Sequence, residues 1–404
     1  MNERDIVRIG AWVVARGLKG GDESVLLRQF CEMCCEAGLP VDRGIVVIDT
    51  LHPTYEGRAF RWRSDTLLEE PLIRYGSTRD GEAALSWQRS PLYHLFHAGL
   101  SELRHRLDPG LDLPFPILET MRGDGITDYY AMIQRFGRAG IIGEMDCVFS
   151  QWTTKRSGGF TEEDLEALRR LVPPLALAVK CASLADIAET LVEVYLGKDA
   201  GRRVLDGRIT RGVSDRISAV LWFSDLRGYT RITDTAPPDE IIPLLNDYAE
   251  AVISAVYEAG GDVLKLIGDG TLAIFRADDP AEACRCALKA EADLRRRVRE
   301  LNARRTREGR AQTGVYLGLH IGEVLYGNIG SESRLDFTVV GPAVNEVSRI
   351  ASMCRSVDRE VLFSAAFAAA TPDPERVRLV SVGRYALRGV GRAQELFTLD
   401  PELI

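Results

Sequence analysis

The spacing of apolar residues predicts alternating helices and strands in the first 180 residues. Residues 23–38, ESVLLRQFCEMCCEAG, repeat apolar positions with the period of a helix. The segment GIVVID at 44–49 and the region of GEMDCVFSQW at 143–152 are instead typical of strands. This part of the chain is therefore expected to form a domain that contains both helices and a sheet.

The segment FTEEDLEALRRL predicts the start of a long helix. Thr161 with Asp164 or Glu163 can cap the free backbone amides of a first turn, just before an apolar-periodic run. Residues 140–182 resemble a GAF-type sensor domain, in which a helix of this FTEEDL type closes a sheet. The resemblance implies that the N-terminal domain senses an unidentified small molecule or protein.

The next segment has an apolar stripe of helical spacing. Its members follow one another at intervals of three, four and three residues: Leu184, Ile187, Leu191 and Val194. This stripe predicts either a short coiled-coil seam between two subunits or a face packed against its own domain, and we favour the seam. The following segment, LGKDAGRRVLDGRITRG, is rich in glycine and arginine and predicts a hinge or a transducing linker.

The remaining residues predict a second α+β domain. Its predicted elements, in chain order, are a buried strand ISAVLWFSD, a helix PPDEIIPLLNDYAEAVISAVYEAG, a hairpin LKLIGDGTLAIF, a helix over about 280–304, strands GVYLGLHIG and FTVVG, a helix over about 344–354, and strands near 360, 378 and 395. The boundaries predicted from these patterns are a sensor domain at 1–182, a helical linker at 183–212 and a catalytic domain at 213–404.

Composition agrees with this two-domain organisation. The 404 residues are 46% hydrophobic and 27% charged, and a net charge of -8 argues against nucleic acid as a partner. Eight cysteines and an N-terminus without a signal-peptide pattern predict reduced thiols in the cytoplasm. We expect no membrane span, because prolines and Lys180 interrupt the apolar segment LVPPLALAVKCASLA.

Two aspartates are placed for metal chemistry. Asp225 ends the predicted strand ISAVLWFSD, and Asp269 lies in the Gly-Asp-Gly turn of the hairpin. If the two strands are neighbours, both carboxylates meet at one end of the sheet, where they suit a hard cation such as Mg²⁺. Taken singly, each aspartate is also a common turn or strand-end residue.

Lys265 interrupts the first strand of the hairpin. Burying an unpaired ammonium is costly, so this charge requires a partner. We expect that partner to be a ligand rather than another residue of the chain.

Asn345 and Arg349 are four residues apart in a predicted helix and therefore project from one face. An amide beside a guanidinium suits a sugar oxygen and a phosphate. An ordinary exposed polar face would show the same spacing.

Four segments in one order resemble the catalytic domain of class III nucleotidyl cyclases over residues 216–400. They are AVLWFSDLRGYT, GGDVLKLIGDGTLAIF, GLHIGEVLYGNIG and LDFTVVGPAVNEVSRI. The resemblance implies a mixed sheet flanked by helices and the conversion of ATP to 3',5'-cyclic AMP and pyrophosphate. Pro342 departs from this pattern, since many relatives have an acid at that place.

The resemblance also implies roles for individual residues. Asp225, Asp269 and the carbonyl of Leu226 would hold two Mg²⁺ or Mn²⁺ ions in each active site. Lys265 and Thr338 would read adenine. A further three residues would act on the sugar and phosphates: Asn345 would orient the ribose, Arg349 would stabilise the transition state, and Arg388 would contact the triphosphate.

The active site of this family lies between two catalytic domains, which implies a homodimer with two equivalent sites. Two alternatives remain open from the sequence: a guanylate cyclase, and a silent module that binds nucleotide without turnover.

Cys31, Cys34 and Cys35 are expected to be buried thiols, and His94 and His97 to be core or pocket residues rather than cofactor ligands. Arg334 could reach phosphate or form a surface ion pair.

Overall fold

A computed structural model describes residues 1–66 and 68–403. The chain divides into two compact units, Met1–Leu191 and Val192–Ile404. The boundary falls inside the segment that the sequence assigned to a linker, between Leu191 and Val192.

The N-terminal unit is built on a six-stranded antiparallel sheet of order β3-β2-β1-β6-β5-β4. Its strands are β1 (Arg43–Asp49), β2 (Gly57–Arg63), β3 (Leu72–Tyr75), β4 (Glu102–Arg106), β5 (Asp128–Arg135) and β6 (Cys147–Thr154). Its helices are α1 (Glu3–Lys19), α2 (Glu23–Glu36), α3 (Gly81–Gln88), α4 (Pro91–His97), α5 (Pro116–Gly123) and α6 (Glu162–Leu196).

The two faces of this sheet pack against different helices. Val46 and Ile48 of β1 join a core with α1, α2 and α6, whereas Val47 packs with the cluster of α4 and α5 on the opposite face. This alternation follows from the period of two in a strand. The sheet is therefore the middle layer of the unit.

The predicted start of α6 is confirmed. The Thr161 hydroxyl accepts a hydrogen bond from the Asp164 amide at 3.2 Å, and the Asp164 carboxylate accepts one from the Thr161 amide at 2.8 Å. This reciprocal pair of hydrogen bonds satisfies two backbone amides at the start of the helix that have no partner within the helix. Helix α1 had not been predicted, although Ile6, Ile9 and Val13 bury a face of helical spacing.

The prediction of a subunit seam is wrong for three of its four residues. Ile187 is buried in the core of the N-terminal unit, and Leu184 and Leu191 pack against that core. Val194 is exposed. The apolar stripe therefore fastens α6 to its own unit, the alternative that we had not favoured.

An ionic cluster adds to this attachment. Arg58 of β2 donates a hydrogen bond to the Ser183 hydroxyl at 2.8 Å and pairs with Glu23 at 2.9 Å and Asp186 at 3.2 Å. Ser183 and Asp186 lie on α6, so the second strand of the sheet is tied directly to this helix.

By length and composition, α6 is apolar enough to cross a membrane, contrary to our expectation that no such segment exists. Of its most apolar window, 44% is buried inside the protein, and a core helix of this length has the same composition. Pro173 and Pro174 lie within the helix and do not end it. The composition test alone does not assign α6 to a membrane.

The C-terminal unit contains an eight-stranded mixed sheet. Its main path has the order β13-β14-β12-β10-β7-β9-β8, with β11 paired to β10. The strands are β7 (Ser214–Leu226), β8 (Asp262–Ile267), β9 (Gly270–Arg276), β10 (Val315–Gly330), β11 (Leu335–Val340), β12 (Val361–Ser364), β13 (Leu379–Tyr385) and β14 (Gln394–Leu399). The helices are α7 (Lys198–Leu205), α8 (Tyr229–Thr235), α9 (Pro238–Glu258), α10 (Pro280–Arg307), α11 (Pro342–Met353) and α12 (Ala365–Ala370).

Helices cover both faces of this sheet, which explains the uninterrupted apolar run of β7. Val220 and Trp222 pack with α9, α10 and α12, whereas Ala219 and Leu221 pack with α7 and α11. A strand buried on both faces has no solvent side that would require polar residues. The predicted α+β architecture of this unit is confirmed.

Of the two interpretations of residues 196–212, the hinge is wrong over the first half, and the helical transducing linker stays a prediction. Residues Lys198–Leu205 form α7, and Ala200 is buried against the sheet. The chain passes from α6 to α7 through Gly197, whose φ of 86° is accessible to glycine at little cost. A Cβ at Gly197 would lie 2.4 Å from the carbonyl oxygen of Val263 in β8.

We predict that Gly318→Ala destabilises the C-terminal unit, because α11 lies directly on this position of β10. The added Cβ would lie 2.7 Å from both the Ala351 amide nitrogen and the Val347 carbonyl oxygen. We expect a loss of about 1–3 kcal/mol in the free energy of unfolding, measured by urea denaturation. Gly314→Ala is the matched control, since its nearest neighbour is 3.8 Å away; equal losses in both variants would contradict the close packing.

Candidate active site

The structure brings Asp225 and Asp269 together at one end of the sheet. Strand β7 pairs with β9 in antiparallel register, with Ser224 opposite Thr271, so the turn before β9 lies beside the end of β7. Burial, a hydrogen bond with Asp269 and repulsion from its charge raise the pKa of Asp225 to about 6, against a smaller lowering by the Leu226 amide. The predicted convergence of the two carboxyl groups is confirmed.

The turn that carries Asp269 depends on two glycines. Gly268 has a φ of 64°, a conformation that residues with a Cβ rarely adopt. Gly270 approaches the neighbouring strand, since a Cβ there would lie 3.1 Å from the carbonyl oxygen of Ser224. The Gly-Asp-Gly sequence therefore both forms the turn and lets it reach β7.

A small cavity opens beside the two carboxyl groups. It has a volume of about 190 Å³ and is lined by Asp225, Leu226 and Asp269 together with apolar residues of α9. The Leu226 amide donates a hydrogen bond to Asp225 at 3.1 Å. The apolar side chain of Leu226 packs with Leu244 and fixes the end of β7.

These residues fit a divalent cation that takes its remaining ligands from elsewhere. Two carboxyl groups repel each other, and burial, together with the hydrogen bond and the charge of Asp269, raises the pKa of Asp225. Among residues 1–66 and 68–403, no group of three or more His, Cys, Asp or Glu side chains could hold a metal. Mg²⁺ is typically bound by one or two carboxylates plus phosphate oxygens and water, which matches a site of this kind.

The structure supplies a partner for Lys265, contrary to our expectation of a ligand. The Lys265 ammonium forms an ion pair with the carboxylate of Asp336 on β11. The side chain of Lys265 is 40% exposed, because β8 is the edge strand of its sheet. The premise of a buried lone charge was therefore wrong, although Lys265 remains a hydrogen-bond donor in a half-open position.

Thr338 lies on the same strand as the partner of Lys265. Asp336 and Thr338 are two residues apart in β11, so their side chains share one face of the strand. Both are partly exposed, whereas Phe337 between them is buried. Lys265, Asp336 and Thr338 thus form one polar group, of which sequence reasoning had missed Asp336.

Asn345 and Arg349 are exposed on α11, as the four-residue spacing predicted. The helix begins at Pro342, immediately after Gly341, and buries Val347 and Ile350 against the sheet. Behind it, the buried His320 ring is hydrogen-bonded to the Ser364 hydroxyl at 2.8 Å. The buried face orients α11 and leaves the amide and the guanidinium accessible.

Two further arginines lie on the surface. Arg388 is exposed in the loop between β13 and β14, and Arg334 is exposed in the loop before β11. Neither guanidinium forms an ion pair with a residue in the described part of the chain. The structure leaves both accessible and gives neither a specific role.

The predicted site residues form separate groups within one chain. Asp225 and Asp269 line the small cavity, and neither Lys265, Thr338, Asn345 nor Arg349 contributes to its lining. No hydrogen bond between described residues connects the aspartate pair with these four side chains. The cavity and hydrogen bonds described for one copy of the chain therefore do not join the aspartate pair to the other predicted groups.

Comparisons with known proteins concern mainly the C-terminal unit. Residues 213–400 match the family model described as "Adenylate and Guanylate cyclase catalytic domain". An adenylate cyclase of Anabaena cylindrica is 34% identical over 157 residues, which cover 38% of this chain and 30% of the relative. An uncharacterized protein of Mycobacterium tuberculosis is 33% identical over 207 residues, which cover 49% of this chain and 36% of the relative. The chain spans about a third of the length of these curated relatives.

Solved structures of cyclases are also similar to the chain. The adenylyl cyclase CyaB from P. aeruginosa has a TM-score of 0.42 and 21% identity, covering 46% of this chain and 95% of that one. A bacterial light-regulated adenylyl cyclase has a TM-score of 0.48 and 17% identity, covering 70% and 88%. The guanylyl cyclase Cya2 has a TM-score of 0.39 and 28% identity, covering 46% and 93%.

We predict that Asp336→Asn weakens nucleotide recognition and leaves the fold intact. Without its carboxylate partner, the Lys265 ammonium loses its fixed position, so the KM for ATP, which we propose below as the substrate, rises up to about fivefold with little change in kcat. Steady-state kinetics measure this, and the midpoint of thermal unfolding should be unchanged. Glu332→Gln, an exposed acid of the preceding loop, is the matched control. An unchanged KM in Asp336→Asn would show that the ion pair does not position Lys265.

Proposed function

We propose that residues 213–400, which carry a catalytic domain of the adenylate and guanylate cyclase type, convert ATP to 3',5'-cyclic AMP and pyrophosphate. The observation that carries this proposal is the pair of carboxyl groups at the end of β7 and in the turn before β9. Their mutual repulsion favours a divalent cation, and a nucleoside triphosphate brings the phosphate oxygens that such an ion needs.

Asp225, Asp269 and the Leu226 carbonyl would hold Mg²⁺ or Mn²⁺. When bound, these ions supply Lewis acidity that lowers the pKa of the ribose 3'-hydroxyl and neutralises charge on the triphosphate. The apolar packing of Leu226 supports this role, because it keeps the strand end in a fixed position. Orientation of the hydroxyl towards the α-phosphorus then decides the rate.

Lys265 and Thr338 would read the adenine ring. The ammonium donates to a ring nitrogen, and the threonine hydroxyl accepts from the exocyclic amine. Asp336 supports this assignment, since an ion pair on one side of the ammonium leaves its other hydrogens free to donate. On its Watson–Crick edge, adenine has the N1 acceptor beside its exocyclic amine, whereas guanine has an N1–H donor beside the O6 acceptor.

Asn345, Arg349 and Arg388 would act on the sugar and phosphates. The exposed amide of Asn345 orients the ribose, and the guanidinium of Arg349 meets the charge that develops on the α-phosphoryl oxygens. Removal of a donor of this kind in other enzymes costs about 3–4 kcal/mol of transition-state stabilisation. Arg388 would hold the departing pyrophosphate.

Two copies of the chain would form two shared active sites. The separation of the aspartate pair from the base and ribose groups within one chain supports this arrangement. In each site, one protomer provides Asp225 and Asp269, and its partner provides the remaining side chains. A symmetric dimer then contains two equivalent sites.

The N-terminal unit would regulate the catalytic unit through α6 and α7. Helix α7 lies on the sheet beside β8, the strand that carries Lys265, and Lys198 lies 4.8 Å from the centre of the Tyr257 ring. A movement of α6 is passed on through Gly197 to this position. The GAF-like character of residues 1–182 is part of the same proposal.

We predict complementation between two inactive variants. Asp269→Ala removes one carboxylate, and Asn345→Ala removes the ribose contact, so each homodimer is inactive. A heterodimer of the two has one intact site of its two and should recover about half of the wild-type activity, measured as cyclic AMP formed by doubly tagged, purified dimers.

The matched control joins Asp269→Ala with Asp225→Ala. Both substitutions affect the same half of the site, so each of the two sites in this heterodimer lacks a carboxylate and activity should stay absent. The shared-site arrangement is contradicted if the first heterodimer is as inactive as the control.

We predict that Gly197→Ala lowers turnover roughly tenfold or more, because the added Cβ collides with the Val263 carbonyl and moves α7 from β8. Gly207→Ala is the control, since its φ of 87° imposes the same backbone strain with nothing within 4 Å of the new Cβ. Both variants are assayed for cyclic AMP. Equal activities would show that the contact of α7 with β8 has no bearing on catalysis.

A further inference from the structure

A cavity in the N-terminal unit lies apart from every residue of the proposed catalytic site. Its volume of about 810 Å³ is within the range of about 300–1,000 Å³ that ligand pockets occupy. The floor is formed by one face of β1, β2 and β6, and the walls by α3, α4 and residues 141–146. The cavity is large enough for a small organic molecule.

The strand period sets which side chains face this cavity. Val47 and Asp49 of β1 line it, whereas Val46 and Ile48 point to the opposite core. If β1 were apolar throughout, another Val or Ile would occupy the position of Asp49. Instead, the sequence GIVVID places a carboxyl group on the cavity floor.

The polar lining is acidic. Its four carboxyl groups belong to Asp49, Glu56, Glu144 and Asp146, and the lining includes no lysine or arginine among the residues that the structure describes. Glu56 accepts hydrogen bonds of 2.6 Å from the amide and the hydroxyl of Thr78, and Glu144 pairs with Arg79. Asp49, Glu56 and Asp146 form no ion pair with a residue in the described part of the chain, so their charges are not neutralised there.

The position of Asp49 is fixed by a tyrosine. The Tyr75 hydroxyl donates to the Asp49 carboxylate at 2.5 Å. Tyr75 reaches it by lying across Gly57, where a Cβ would be 2.1 Å from the Tyr75 oxygen. Burial, with added repulsion from Glu56 and Asp146, raises the pKa of Asp49 to about 6. A carboxylate that is held in a fixed position and repelled by neighbouring acids is stabilised when a cation binds beside it.

The remaining walls are aromatic and apolar. Trp87 of α3, Phe96 of α4 and Phe149 of β6 line the cavity, and the ring centres of Trp87 and Phe149 are 5.7 Å apart with an angle of 75° between the rings. Aromatic faces attract cations and bury the apolar body of a ligand. His97 also lines this cavity, as expected of a pocket residue.

We infer that this cavity binds a small organic cation, a protonated amine attached to an aromatic or apolar body. The amine would lie against Asp49 and Asp146, and the body against Trp87, Phe96 and Phe149. A bare metal ion fits less well, since the described residues include no group of three metal-binding side chains. This inference is independent of the proposed catalysis, because it concerns ligand binding by the N-terminal unit.

The test is isothermal titration of the full chain, without nucleotide, at about pH 7.5, where primary amines are protonated. The probes are phenethylamine, tyramine and tryptamine, each compared with its neutral alcohol and its anionic acetate counterpart. We expect at least one amine to bind saturably and about tenfold more tightly than its alcohol, with no binding of the acetate.

Two variants measure separately how charge and shape contribute to ligand binding. Asp49→Asn keeps an acceptor for Tyr75 and should weaken amine binding about tenfold while alcohol binding is unchanged. Trp87→Leu should weaken both. Glu82→Gln, an exposed acid of α3 outside the lining, is the control and should change neither.

The inference is overturned if no amine binds saturably, if the alcohol or acetate binds as tightly as the amine, or if Asp49→Asn retains wild-type amine affinity. The comparison of amine, alcohol and acetate binding to the wild-type chain remains a valid test even if a variant fails to fold. Amine binding by a protein that forms no cyclic AMP would contradict the proposed catalysis and support this inference, so the two fail separately.

Discussion

The catalytic unit depends on repulsion between two carboxyl groups. The pairing of β7 with β9 places Asp269 beside Asp225, and burial, together with the hydrogen bond and the charge of Asp269, raises the pKa of Asp225 to about 6. Helices on both faces of the sheet and two turn glycines hold the two carboxyl groups in place. Two carboxyl groups held in this way suit a divalent cation that takes its remaining ligands from phosphate oxygens.

Sequence patterns predicted the catalytic unit well because its signals are local. The run AVLWF indicated a strand buried on both faces, and the Gly-Asp-Gly turn indicated the position of Asp269. The partner of Lys265 was not predictable in this way, because Asp336 is distant in sequence and approaches only through the packing of β8 and β11. The edge position of β8 was also not predictable, because it follows from the order of strands in the sheet rather than from the spacing of residues in the sequence. This position explains why a lysine is tolerated in β8.

The segment from Leu184 to Leu205 shows what the spacing of apolar residues could not predict. Apolar spacing at Leu184, Ile187 and Leu191 indicated a helix correctly, but spacing does not identify the surface that a helix covers. The segment after it contains glycine and arginine, which favour a hinge, yet tertiary packing of Ala200 against the sheet gives α7. Tertiary packing, rather than composition, therefore decides the structure of this segment.

The most direct measurement of the central claim is product identity. The purified chain would be incubated with ATP or GTP, each with Mg²⁺ or Mn²⁺, and the products separated by chromatography and mass. We expect 3',5'-cyclic AMP and pyrophosphate from ATP, and little or no cyclic GMP, because Lys265 and Thr338 together match adenine. Cyclic GMP as the main product would contradict this account of base recognition, and no cyclic nucleotide with either metal would contradict the assignment of catalysis to this chain.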